Sequence, residues 1–227
     1  MPRRCTLWGI LFVAAFACIC PDGTAYGRNT AANAKQAVLT PGQIETARNG
    51  ILLYTNRERT RRGLPPLRSS AALNYLAQAQ SANMCAALPA ANRGSSQNKC
   101  LLPNFNHESD LFPPGWRAFS DRLGKADLNY GAENIACRTL DPDLDKWARI
   151  VVLGWMNSKP GHHGKNILSR GHRFLGVGVV GCLERIGYAT QVFSNQSGRI
   201  VGNHGTGYGR RISGVYDPVI ATIPARK

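Results

Sequence analysis

The chain has 227 residues, with 28 Lys or Arg against 13 Asp or Glu, a formal net charge of +15 and 43% hydrophobic residues. That length suits one domain with a core of ordinary size. The positive balance favours anionic surfaces, yet the basic residues crowd only at Arg57-Arg59-Arg61-Arg62 and at Arg210-Arg211, with no aromatic platform interleaved. A nucleic-acid partner is therefore not expected; an anionic lipid or cell-wall polymer is the better counterpart, beside the plain alternative of a solvated basic surface.

Residues 1–25 carry Arg3 and Arg4, an apolar run from Leu7 to Ile19 and small residues ending Gly23-Thr24-Ala25. This is the order of a cleavable export signal. The apolar run is shorter than the roughly 20 residues a membrane-spanning helix needs. The expected compartment is extracellular or periplasmic, with a lipid-anchored form modified at Cys18, after Ala15-Phe16-Ala17, as the alternative. Residues 26–39 read as a loose leader, 40–197 as the folded domain and 198–227 as a Gly/Arg-rich extension.

Within the domain, Thr40 caps a helix with Pro41 in its first turn, and Ile44, Ala47, Ile51 and Tyr54 recur at helical spacing up to Gly63 and Pro65. A second helix follows Ser69 or Ser70, carries Leu73, Leu76, Ala77, Gln80 and Met84 on one side, and ends near Cys85. Residues 90–102 are loop by composition. A short helix carries Trp116, Phe119 and Leu123. Asp141-Pro142 opens another through Leu144, Trp147, Ile150, Val151 and Trp155. The period then changes: 174–180 and 188–193 read as a hairpin joined through Glu184 and Arg185. Helices first and a hairpin late imply an α+β layered fold. One more strand is expected near 212–216.

The stretch Tyr130-Gly131-Ala132-Glu133-Asn134-Ile135-Ala136 sets one carboxylate among small and apolar residues. A half-buried acid needs donors, a metal or a histidine, and His107, His162 and His163 are available to it. Two imidazoles and a carboxylate can hold zinc or another divalent metal with a water. They can also act without metal, Glu133 fixing the tautomer of a general base, or merely complete a polar network. Ser109 is a lone nucleophile candidate, while His172 and His204, in Gly/Arg surroundings, are expected to face solvent. Asn195-Gln196-Ser197 is a glycosylation sequon wherever the host glycosylates. Past the signal, Cys85, Cys100, Cys137 and Cys182 form an even set that allows three pairings. Cys85–Cys100 is favoured, since the intervening polar loop wants a tether, which leaves Cys137–Cys182.

Seven motifs stand in register: Asn56-Arg57-Glu58-Arg59 with Gly63-Leu64 and Leu67; Phe105-Asn106-His107; Gly131-Ala132-Glu133-Asn134-Ile135-Ala136; Trp155-Met156-Asn157-Ser158; Asn166-Ile167-Leu168; Gly176-Val177-Gly178-Val179; and Thr190-Gln191-Val192-Phe193. Over about 43–194 this resembles the CAP superfamily of cysteine-rich secretory, antigen 5 and pathogenesis-related proteins, most nearly its bacterial SCP-like extracellular branch. The resemblance implies an α-β-α sandwich with a small antiparallel sheet and a cleft rimmed by histidines and glutamates, which in some members binds a divalent metal. His107 matches the first family histidine and Glu133 the family glutamate, with Ala132 as an apparent insertion. Counting back from Asn166 selects His163 as the second histidine, and counting from Pro160-Gly161 selects His162; the ungapped run to Leu168 favours His163. Tyr188 stands where other branches carry a further histidine, and Ser158 where they carry a second glutamate.

Three function classes follow. The first is a binding module for a lipid, sterol or cell-wall component. The second is a metal-dependent hydrolase using His107, Glu133 and His163, and the third a basic surface-adhesion or effector protein.

Overall fold

The computed structural model describes residues 39–86, 106–110, 114–159, 161–182 and 186–201. Helix α1 spans Pro41–Thr60 and starts as its sequence directs: the Thr40 hydroxyl accepts from the Gln43 amide, and the Gln43 side chain accepts from the Thr40 amide. A two-residue strand β1 (Arg68–Ser69) leads into α2 (Ala71–Ala86). Helix α3 (Phe119–Gly124) follows, then strand β2 (Ala132–Thr139), α4 (Leu144–Met156) and α5 (His162–Leu168). Strands β3 (Phe174–Cys182) and β4 (Ile186–Ser194) end the described elements. The cap of α4 is Asp143, whose side chain accepts from Asp145 and Lys146, two residues later than Asp141-Pro142 suggests. Of the expected α4 stripe, Ile150 is exposed, while Leu144, Trp147, Val151 and Trp155 are buried. The strand expected near 212–216 lies outside the described residues.

The sheet order is β1-β3-β4-β2, with β1 parallel to β3 and the other pairs antiparallel. Side chains alternate across it. Leu175, Val177, Val179 and Ala189 join Ala47 and Ile51 of α1 and Trp147, Val151 and Trp155 of α4 in one core. On the other face Leu73, Leu76 and Ala77 of α2 pack with Trp116, Leu123 and Val192. This gives three layers, α-β-α, as the family resemblance implies.

The Gly-Val-Gly-Val run decides how close the layers lie. A Cβ on Gly176 would stand 2.0 Å from the Leu73 backbone carbon, and one on Gly178 would stand 2.2 Å from that of Ala77. Two strand residues advance about 6.6 Å and four helical residues about 6 Å, so α2 seats its backbone on β3 one glycine per turn. On the edge of β3 away from β4, the two-residue β1 is the one strand neighbour among the described residues, and α2 supplies the rest of the ladder. The Val177 amide donates to Asn74 Oδ1 (2.8 Å) and the Val179 amide to Gln78 Oε1 (2.9 Å), while Gln78 Nε2 donates to the Val179 carbonyl (3.0 Å).

The expected disulfide pairing is incorrect. Cys85 at the end of α2 bonds to Cys182 at the end of β3, with Cα atoms 5.8 Å apart, so neither Cys85–Cys100 nor Cys137–Cys182 can form alongside it. Cys137 is also disulfide-bonded; Cys100 lies outside the described residues. The helix-on-strand contact brings the ends of α2 and β3 together, a tertiary fact that loop composition does not encode. The backbone stays tied to the domain past 197: the amides of Arg199 and Val201 donate to the carbonyls of Ala126 and Lys125.

Candidate functional site

Among the described residues strand β2 pairs only with β4, and its outer edge carries no further strand. The ladder runs unbroken from Ala132 opposite Phe193 to Thr139 opposite Ile186, so Ala132, the apparent insertion, causes no bulge. Glu133, the second residue of β2, has a side chain only 2% exposed. Its Oε1 lies 2.9 Å from His107 Nδ1, and Arg122 Nη2 from α3 reaches both carboxylate oxygens, at 2.8 and 3.0 Å. The Arg122 side chain is wholly buried. It also donates to the His107 carbonyl (2.8 Å) and the Trp116 carbonyl (3.0 Å), fixing the segment that carries the histidine. Gln80 of α2 holds the same segment through the Asn106 carbonyl at 2.9 Å.

Arg122 is the member that sequence reasoning misses. A guanidinium in the short stretch Phe119-Ser120-Asp121-Arg122-Leu123-Gly124 looks like a solvated surface charge. The usable signal is Glu133 itself, since a carboxylate among apolar residues demands a counter-charge.

Behind the carboxylate lies a polar seam of amides, Asn134 and Gln191 buried and Asn166 half-buried. Asn166 Nδ2 donates to the Glu133 carbonyl (3.3 Å) and to Asn134 Oδ1 (2.9 Å). Asn134 Nδ2 donates to the His163 carbonyl (3.2 Å) and to Gln191 Oε1 (3.0 Å), and Gln191 Nε2 donates to Thr55 Oγ1 on α1 (2.7 Å). The seam joins β2, β4, α1 and α5, and so sets α5 beside the β2 edge. His163 is half-buried and His162 exposed. The His163 imidazole is held below the ordinary histidine range by burial first, then by the charges of His107 and His162. Together they present one carboxylate, one guanidinium and two imidazoles.

The other candidates fall elsewhere. Ser109 sits half-buried, its amide donating to the Arg117 carbonyl. Tyr188, at the departure from the family pattern, is wholly buried with Met84 and Ile135. Ser158 donates to the Trp155 carbonyl at 2.9 Å. His172 does not face solvent as its Gly/Arg setting suggests: it is 3% exposed, stacks on Phe193 at 5.3 Å between ring centroids, and donates from Nδ1 to the Asn166 carbonyl (3.0 Å). The polypeptide turning into β3 folds it onto the aromatic ring. His204 lies outside the described residues. The basic crowd on α1 also divides. Arg59 is wholly buried, donating to the carbonyls of Pro65, Ile167 and Ser169, while Arg61 and Arg62 pair with Glu58 at 2.9 and 2.7 Å.

A catalytic zinc takes three protein ligands and an open position. The third ligand would have to be Glu133, whose oxygens already accept from Arg122, and a cation there would sit against a fixed guanidinium. Among the described residues no group of three His, Cys, Asp or Glu is placed to hold a metal. The donor set therefore does not fit a resident hydrolytic metal.

The model of the cysteine-rich secretory protein family, CAP, matches residues 52–193. No curated protein sequence matches the chain. Among solved structures, an extracellular SCP-domain protein from Bacillus anthracis is 25% identical with a TM-score of 0.47, over 70% of this chain and 44% of its own. A cysteine-rich secretory protein from Staphylococcus aureus is 16% identical with a TM-score of 0.44, over 68% and 40%. An outer surface protein from Borrelia burgdorferi is 16% identical with a TM-score of 0.47, over 72% and 98%. The chain thus spans less than half the length of the first two.

Proposed function

We propose, for a chain that belongs to the cysteine-rich secretory protein (CAP) family, that it is an exported binding module whose His107–Glu133–His163 cluster receives the polar end of a lipid, sterol or cell-wall component without turning it over. The observation that carries this reading is the buried Arg122–Glu133 pair. A carboxylate answered by a guanidinium and an imidazole is neither a free base nor a free metal ligand. Its remaining task is orientation. Because the carboxylate accepts, His107 donates from Nδ1, and Nε2 is left as an acceptor on a side chain 41% exposed. His163, its pKa lowered by burial, adds a second imidazole. Two such groups suit a hydroxyl or amide of a ligand. Export is supported by the segment 1–25 and by the Cys85–Cys182 bond. Among the described residues no helix is long and apolar enough to cross a membrane.

The metal-dependent hydrolase is the weaker reading, since its third ligand is committed to Arg122. The test is metal analysis of protein purified without a histidine tag, together with co-sedimentation on insoluble cell-wall polymer and on sterol-containing vesicles. The binding module predicts substoichiometric zinc and binding to one of these probes that falls in His107→Ala and His163→Ala. Stoichiometric zinc that disappears in both His107→Ala and Glu133→Ala, with ester or peptide hydrolysis, reverses the order.

A further inference from the structure

The geometry points to a second binding site, an oxyanion groove between α1 and α4 that takes a phosphate-type group. The groove has a volume of about 260 Å³ and shares no residue with the His107–Glu133 cluster. Arg57, Arg61 and Arg149 line it against a single acid, Glu58, with Tyr54 and Leu153.

The state of each charge decides what the groove wants. Glu58 is already spent on Arg61 and Arg62, at 2.9 and 2.7 Å. Asp145, next along α4, accepts the Tyr54 hydroxyl at 2.6 Å. The Arg57 guanidinium lies over the Tyr54 ring at 5.1 Å and has no acidic partner among the described residues, and Arg149 has none there either. Stacking uses the face of a guanidinium and leaves its in-plane N–H donors free. Two planar forks with free donors, beside acids that are already satisfied, form a receptor for a tetrahedral or planar oxyanion. The volume exceeds several waters, enough for a phosphate ester with part of its hydration. Leu53, Ile150 and Leu153 on the same two helices are 45%, 37% and 38% exposed, so an apolar substituent on the bound group would find cover beside it.

The experiment titrates inorganic phosphate and glycerol 1-phosphate at low ionic strength, and separately co-sediments the protein with phosphatidylcholine vesicles with and without phosphatidylglycerol. The protein is compared with Arg57→Gln/Arg149→Gln, with Arg199→Gln as a control for surface charge. Arg199 is suited to that control because it lies 80% exposed on Asp127. The expected result is binding weakened about tenfold or more in the double variant and unchanged in the control. Loss confined to the soluble esters assigns a free phosphate, and loss confined to phosphatidylglycerol vesicles assigns a membrane-borne one. The site is overturned when neither probe responds to the double substitution, or when Arg199→Gln weakens binding equally. A thermal melt of the double variant matching the parent separates loss of the groove from loss of the fold.

Discussion

Two guanidiniums are wholly buried among the described residues, and the regions around them solve the same electrostatic problem differently. At the α1–α5 junction, Arg59 meets only backbone carbonyls, those of Pro65, Ile167 and Ser169, and burial pushes its pKa below the usual arginine value. It closes the end of α5, whose last carbonyls have no helical partners. At the β2 edge, Arg122 meets the carboxylate of Glu133. The first cation organises the chain around itself; the second is matched by an anion, so that its neighbourhood carries little net charge and His107 is oriented at the surface. A buried cation is thus architectural where carbonyls surround it, and, on the function proposed above, part of a recognition surface where an acid and an imidazole complete it.

The largest expected effect breaks the second region. Arg122→Met leaves the Glu133 carboxylate buried with only His107 beside it, and should cost about 3–5 kcal/mol in urea unfolding. Arg59→Met strands carbonyls but no charge, and should cost less, about 1–3 kcal/mol. Equal losses would erase the distinction between the two sites. His107→Ala, which removes a side chain 41% exposed, should cost about 1 kcal/mol or less while removing ligand retention by the cluster.

How much of this the sequence discloses depends on whether the cause is local. Thr40 as cap, the α2 stripe and the late hairpin are readable because capping and periodicity involve neighbours in the chain. Glu133 stands out because its own neighbours are apolar. Arg122, the Cys85–Cys182 bond and the burial of His172 are not readable, since each is made by an approach between distant segments. The Gly-Val-Gly-Val run sits between these cases: its glycines are plain in the sequence, but their reason, the Leu73 and Ala77 backbone at about 2 Å from any added Cβ, appears only when α2 docks.

The smallest effect is on pH dependence. His163 and His172 both titrate below the ordinary histidine value of 6.5, chiefly because burial disfavours the imidazolium. As pH falls, the unfolded chain takes up these protons first. Stability is therefore full above about 6.5 and declines as pH drops through that value toward the lower folded-state values. His163→Asn and His172→Asn should each flatten this slope in denaturation curves collected between about pH 7 and 5; an unchanged slope would mean that neither imidazole is held neutral by the fold.

The partnership of Arg122 with Glu133 is measured directly by a double-mutant cycle of Arg122→Met and Glu133→Gln in urea unfolding. The predicted coupling is on the order of 2–3 kcal/mol, with the double variant more stable than the two single losses would sum to. Additive losses, with coupling below about 0.5 kcal/mol, would contradict it and return Glu133 to the role of a free base or metal ligand.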